Sequence, residues 1–310
     1  MFLAQLFVPL QKNCEMTTKL FYRVAGHCFS INIDGNDPLT RQLSQYAPFR
    51  VDAADVSTTV FELDVVEPSA FPSTVDYKEE TSQDDDGSQI SAGHVGDRPY
   101  FEFLLWGKRA ARLLTDNTYT HAIVALDGDR LFGINNTAMV MYALSTSGKQ
   151  TALFHSSVIG YRGRGYMFLG KSGTGKSTHS GLWLKYIDGT ELLNDDNPVV
   201  RFIDGQPWVF GSPWSGKTPC YRNVQAPLGA IVRLSQAPYN KISPLKGIEA
   251  YAAVMPAISG MRWDRTLADG LHETENLLAS RAKMFHLECL PDEAAARLCM
   301  ETVTADKQEE

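Results

Sequence analysis

Eight consecutive residues carry the strongest chemical signal in this chain: Gly170-Lys171-Ser172-Gly173-Thr174-Gly175-Lys176-Ser177. They satisfy the pattern GxxxxGK[ST], which chance should produce in roughly one chain in a hundred of this length. Gly170, Gly173 and Gly175 let the backbone curl so that successive N–H groups face an anion. A helix starting behind the loop adds the positive end of its dipole. In such a cradle Lys176 reaches the β- and γ-phosphates of a nucleotide and the Ser177 hydroxyl ligates magnesium. Thr178, at the start of the helix, contacts the α-phosphate side. The expected ligands are therefore a nucleotide and Mg2+.

Two further groups of residues could complete that chemistry. Asp195 and Asp196 lie nineteen and twenty residues after Lys176, at the end of the next apolar strand. One helix and one return strand fit the interval, so the pair should sit beside the loop. Phosphoryl transfer needs a carboxylate for the metal and often another to accept the nucleophile's proton. The run Asn194-Asp195-Asp196-Asn197-Pro198 is also good turn chemistry. The second group is the segment 211–223 (GSPWSGKTPCYRN), which offers Trp214, Lys217 and Arg222. A cation there could neutralise the transferring phosphoryl group from the side opposite Lys176. A lone histidine, His155, precedes Lys176 by twenty-one residues.

These residues need elements to hold them. An apolar strand ending at Leu169 must lead into the glycine loop, and a helix over 176–187 must leave it. Further strands are predicted over 151–159, 191–194, 198–203, 207–210 and 227–234, with a hairpin turn at Tyr161-Arg162-Gly163-Arg164. From Ser243 onward the pattern reads as helical, over 247–256, about 264–284 and 291–305, the last opened by Pro291, Asp292 and Glu293. Upstream, 20–33, 58–67, 100–106, 121–126 and 130–134 read as strands. A helix is expected from Thr137 to Ser147, opened by Asn136 and closed by Gly148. The acidic stretch 77–97, including Asp84-Asp85-Asp86-Gly87, reads as a mobile loop.

His155, the strand–turn–strand with Gly163 and Gly165, Gly170–Ser177 and Asp195-Asp196 together resemble the core of HPr kinase/phosphorylase. That family shares its P-loop fold with phosphoenolpyruvate carboxykinases. The similarity covers about residues 150–235, and residues 20–150 do not look like the N-terminal domain of the HPr enzyme. As a whole the chain is more similar to uncharacterised HPr-kinase-like bacterial proteins with a Gly-Ser-Pro-Trp-Ser-Gly-Lys type of segment. The resemblance implies an α/β fold: a P-loop core with a mixed sheet and flanking helices, a β-rich N-terminal region and a helical C-terminal tail. It implies an ATP- and Mg2+-dependent kinase acting on a hydroxyl, either a seryl side chain of a protein or peptide or a small molecule. Asp195 would then be the base, Asp196 would hold the metal with Ser177, and His155 would orient the pair or approach the metal. Lys217 and Arg222 would belong to a basic loop near the transferred group. Two other readings are a regulatory module that only binds nucleotide and a carboxykinase-like lyase. The lyase needs several basic residues for a dicarboxylate and a transition-metal site, which the sequence does not assemble.

Composition narrows the rest. Twenty-nine basic against thirty-six acidic side chains leave a net charge of −7 over 310 residues, with no basic stripe for nucleic acid. Cys14, Cys28, Cys220, Cys289 and Cys299 show no CxxC spacing and form an odd set, which suits reduced thiols in a cytoplasmic protein. Met1–Leu10 is apolar but lacks a positive n-region and is too short for a bilayer span, so 1–15 reads as a tail or a misread start. No membrane segment is expected. The organisation predicted is therefore 1–15, a β-rich region over 16–148, and a kinase-like core with its helical segment over 149–310. The outer regions would supply acceptor recognition or contacts in a homo-oligomer.

Overall fold

A computed structural model describes residues 17–216 and 218–305. The segment 1–15 lies outside the described residues, and so does Lys217. The chain forms mixed α/β structure with two large sheets, each of nine strands among the described residues.

The first sheet begins with a hairpin, β1 (Thr17–Val24) and β2 (His27–Asp34), where a single strand over 20–33 is expected. The Ala25-Gly26 pair, both at positive φ, reverses the chain there. A short helix α1 (Leu39–Gln42) and strands β3 (Arg50–Val51) and β4 (Phe61–Val66) follow. Then comes a meander: β5 (Tyr77–Asp85), β6 (Ser88–Val95), β7 (Arg98–Leu105) and β8 (Lys108–Thr115), closed by β9 (His121–Leu126). The spatial order is β3-β1-β2-β4-β9-β8-β7-β6-β5, with β2–β4 and β4–β9 parallel.

The acidic stretch 77–97 is thus a hairpin and not a loop. Asp86 and Gly87 both have positive φ, the two-residue turn that matches strand twist. Their neighbour Trp106 lies so close over Gly87 that a Cβ there would meet its ring at 2.2 Å. Because β5 is the sheet's edge and faces solvent, its side chains need not be apolar.

Helix α2 (Arg130–Thr146) crosses this sheet. The expectation of a strand at 130–134 and a helix start at Asn136 is corrected: Asp129 caps the helix by accepting from Phe132 N at 3.0 Å. Its buried positions Ile134, Ala138, Met141 and Tyr142 follow helical spacing and face the sheet's core. Gly133 brings the helix close to β8, since a Cβ there would sit 3.0 Å from both Ala110 O and Ala111 Cβ.

The second sheet contains β10 (Thr151–Leu153), β11 (Ser156–Tyr161), β12 (Arg164–Leu169), β13 (Thr190–Asp196), β14 (Val199–Ile203), β15 (Gln206–Phe210) and β16 (Gln225–Gln236). Helix α3 (Lys176–Tyr186) joins β12 to β13. The C-terminal part is not purely helical. Around helices α4 (Ile248–Val254), α5 (Arg265–Arg281) and α6 (Glu293–Thr304) run β17 (Lys241–Leu245) and β18 (Met284–Cys289). β18 continues the sheet in parallel with β16, so the 264–284 helix ends earlier than its sequence pattern suggests. The order β10-β14-β15-β16-β12-β11-β13 puts β12 between β16 and β11, at the sheet's interior.

The two sheets share apolar packing. Phe29 stacks on Phe61 at 4.8 Å and approaches Trp214, which itself packs on Tyr142 at 5.2 Å. Trp214 is 4% exposed and donates from Nε1 to Tyr46 Oη at 3.1 Å. Arg201, on β14, donates to Ala25 O at 2.7 Å, and Tyr119 donates to Asp264 at 2.7 Å. Cys28, Cys220, Cys289 and Cys299 are free thiols. Among the described residues no helix is long and apolar enough to cross a membrane.

Candidate functional site

β12 delivers the chain into the glycine-rich loop, and α3 begins at Lys176 with Gly175 as its N-cap at φ +107. No side chain caps this helix start. Its first N–H groups therefore keep the unsatisfied donors that every helix N-terminus carries, together with the positive end of the dipole. Gly173 (φ +77) has open space where a Cβ would stand, and Lys171, Ser172, Gly173 and Thr178 are on the surface. The Lys176 ammonium folds back onto the loop, donating to Gly170 O at 3.0 Å. Burial pushes its pKa below the usual lysine value, against the opposing pull of Asp196, Asp85 and Asp195.

Packing beneath α3 fixes the helix to its sheet. Ser157 and Ser180 hydroxyls meet at 2.6 Å, and Phe168 packs edge-on against His179 at 4.8 Å. His179 accepts from Trp183 Nε1, and burial lowers its pKa to about 4, so it is a neutral packing residue at physiological pH.

Asp195 and Asp196 end β13 alongside β11, opposite Ser157 and Ser156 respectively. Side chains of consecutive strand residues point to opposite faces, so the two carboxylates diverge. Asp195 is buried and accepts from Ser177 Oγ at 3.0 Å. Asp196, half-buried, has its Oδ1 3.6 Å from His155 Nε2 and its Oδ2 accepting from Asn197 Nδ2 at 2.7 Å. Burial raises the Asp196 pKa, with His155 and Lys176 pulling it back and Asp195 adding to the rise. Its backbone sits at φ +119, a conformation rare outside glycine. His155 is held at its own backbone, donating from N to Ala257 O at 2.7 Å.

The segment after β15 straps the end of β13. Asn194, fully buried, donates to Ser212 Oγ and Trp214 O, both at 3.3 Å. Ser212 Oγ donates to Asn197 O at 2.6 Å and accepts from Trp214 N at 3.1 Å. Asp195 O accepts from Gly216 N at 2.7 Å and from Ser215 Oγ at 2.9 Å. Gly216 leaves room for Asp196: a Cβ there would lie 3.0 Å from Asp196 Cβ and 3.2 Å from its Cγ.

The structure thus brings Lys176, Ser177, Asp195, Asp196 and His155 together and leaves Arg222 out. Arg222 donates to Leu192 O at 2.6 Å and to Glu191 Oε2 at 2.7 Å, farther back along β13. The chain after Cys220 runs back toward β16, and Arg222, expected in a basic loop near the transferred group, braces β13 in this arrangement. Ser177 also meets Asp195 rather than the Asp196 expected beside it. Trp214 is a core strut rather than a surface contact.

A cleft of about 390 Å³ opens in front of His155 and Asp196. Its other walls are the β5–β6 hairpin, with Gln83, Asp85 and Ser88, and α2, with Asn135, Asn136 and Met139. Sequence reasoning had no access to these residues, because their role depends on the hairpin at 77–97. The Asp-Gly turn flanked by two runs of strand-like alternation was the signal available. Among the described residues no three His, Cys, Asp or Glu side chains converge into a metal cage.

No family model matches the chain. No curated protein matches it either. Among solved structures it is similar to the Hpr(Ser) kinase/phosphatase from Coxiella burnetii, at 12% sequence identity over 49% of this chain and 99% of that one, with a TM-score of 0.29. That is a weak likeness at the level of fold.

Proposed function

We propose that the protein is an ATP- and Mg2+-dependent phosphotransferase of HPr-kinase-like type, with a P-loop at Gly170–Ser177 and a hydroxyl as acceptor. One observation carries the reading. At the mouth of an uncapped helix behind a glycine-rich loop, Ser177 meets Asp195 at 3.0 Å, while the next carboxylate turns with His155 toward an open cleft.

The residues fit the two groups this reading implies. Loop N–H groups and Lys176 suit a triphosphate; a hydroxyl next to a carboxylate suits magnesium, which commonly takes one or two protein oxygens and completes its shell with phosphate and water. Ser177 and Asp195 would hold the metal, whose contribution is to neutralise phosphate charge. This reverses the division of roles that the family resemblance implies. Asp196, on the cleft side with a raised pKa, would accept the acceptor's proton, with His155 steadying it. Lys176 would exchange its carbonyl partner for phosphate oxygens. Asn194, Ser212 and Gly216 would hold the two carboxylates in place.

The test is incubation with γ-labelled ATP and Mg2+, with and without a bacterial extract. Wild-type protein should transfer label. Lys176→Ala should stop transfer and weaken ATP binding about 10- to 100-fold, the worth of one or two charge-assisted hydrogen bonds. Unaltered ATP affinity of that variant in calorimetry would reject the P-loop reading. Tight binding by wild type with no ATP loss in any extract would instead favour a non-catalytic nucleotide-binding module.

A further inference from the structure

The cleft in front of Asp196 is furnished with carboxamides. Gln45, Gln83, Asn135, Asn136 and Asn197 all line it, drawn from the segment after α1, from β5, from α2 and from the end of β13. A carboxamide both donates and accepts, as does an alcohol, so such a lining matches a molecule with several hydroxyls. Hydrogen-bonding capacity there is not used up internally. Asn136 spends its Nδ2 on Phe132 O at 2.9 Å and keeps its oxygen. Asn135 has a buried Oδ1 without a partner among the described residues.

The charged lining points the same way. The cleft presents two carboxylates, Asp85 and Asp196, and the imidazole of His155; among the described lining residues none is a lysine or arginine. Among the described lining residues, a phosphate or carboxylate on the acceptor would face those carboxylates with no lysine or arginine beside it. A purely cationic acceptor would need acceptor atoms alone and would leave the amide N–H groups idle. Phe132, Met139 and Ile90 add apolar surface, which suits the C–H face of a ring bearing hydroxyls on its edge. The volume of about 390 Å³ lies in the range of small-molecule sites.

We infer that the acceptor is an uncharged polyhydroxylated small molecule, a sugar or cyclitol, held by the β5–β6 hairpin and α2 against Asp196. This rests on the phosphotransferase reading above. In the step, an acceptor hydroxyl oxygen bonds to the γ-phosphorus of ATP as the bond from that phosphorus to the β-phosphate oxygen breaks. The hydroxyl proton passes to the Asp196 carboxylate, and ADP leaves.

The experiment is label transfer from γ-labelled ATP into a bacterial small-molecule extract divided on ion exchangers into neutral, anionic and cationic pools, with a protein fraction alongside. Calorimetry of ATP with Mg2+ runs in parallel. Label should enter compounds of the neutral pool, and defined hexoses, pentitols and inositol should then identify the class. Label in the anionic pool, the cationic pool or a protein would overturn the inference while leaving the phosphotransferase intact. Tight ATP binding with no transfer anywhere would overturn both. With the neutral acceptor in hand, Asn136→Leu and Gln83→Leu should each raise its KM about tenfold, the cost of one lost polar contact, with ATP affinity unchanged. Gln83 is on an exposed strand, so its variant does not depend on repacking of α2. An unmoved KM in both variants would also overturn the inference.

Discussion

Replacing Gly216 with alanine tests the proposed site through geometry alone, without removing any charged group. The added methyl would stand 3.0 Å from Asp196 Cβ and 3.2 Å from Cγ, tighter than an ordinary van der Waals contact of 3.4–4 Å. The neighbour must therefore give by a few tenths of an ångström. Asp196 has little freedom to yield at the backbone, since it sits at φ +119 and forms a bridge to Ser215. The carboxylate itself moves. If a misplacement of about 1 Å costs about 100-fold, a shift of about 0.3–0.5 Å costs about four- to tenfold, or about 0.8–1.4 kcal/mol of barrier. Gly216 stands on the Asp196 side, and the three atoms nearest its added methyl all belong to Asp196. ATP affinity should stay within about twofold of wild type. The assay is kcat from label transfer alongside calorimetric ATP binding. Unchanged kcat would refute a role for the Asp196 carboxylate in the chemical step, and a parallel fall in ATP affinity would refute the separation of Asp196 from the loop 170–177.

Two further predictions rest on groups already placed. Because burial raises the folded pKa of Asp196 above its ordinary 3.8, the native state holds that proton more firmly than the unfolded chain. Its ionisation thus costs stability as pH rises through the interval between the two values, and the cost persists above it. Asp196→Asn should accordingly raise the Tm of nucleotide-free protein at pH 7 but not below pH 3, while cutting kcat about 10²- to 10⁴-fold. A lowered Tm at pH 7 would contradict the buried-charge account. Trp214→Phe removes the donor to the buried Tyr46 hydroxyl and leaves a void between the sheets. It should cost about 2–4 kcal/mol in urea unfolding, and a loss under about 1 kcal/mol would show that Trp214 is no strut.

How much of this was legible in the sequence varied with the physics of each segment. The loop 170–177 and its flanking strand and helix were readable, because glycine spacing, a lysine and an apolar run are all local. The placement of Asp195-Asp196 beside the loop followed from one helix and one strand of known rise. Which carboxylate faces Ser177 did not follow, since it depends on the register of β13 against β11, where the pairing shifts at Val158/Ile159. The placement of Arg222 on β13 did not follow either, because a loop's composition says nothing of its return path. The strands of 77–97 were hidden by exposure: an edge strand can be as polar as a loop, and only Asp86-Gly87 betrayed the turn. At 130–134 an apolar run resembled a strand, although Asp129 and the spacing of Ile134, Ala138 and Met141 already described a capped helix. Ala25-Gly26, Trp106-Gly107 and Asp204-Gly205 repeat the same two-residue turn geometry, so a pair ending in glycine carried more of this fold than hydropathy did.

The position of the β5–β6 hairpin has a consequence for how this chain could diversify. β4 and β9 are already parallel neighbours, and the meander between them extends outward to β5 at the free edge. Lengthening, trimming or recolouring that outermost hairpin reaches inward only to β7, which pairs with β6, and leaves the strands from β3 to β8 with their other partners. The same hairpin forms one wall of the cleft, whereas the glycine loop and carboxylates belong to a separate stretch of sequence. Variation in about twenty contiguous residues could therefore redirect what enters the cleft without retuning the proposed phosphate machinery, much as exchangeable loops do on rigid scaffolds.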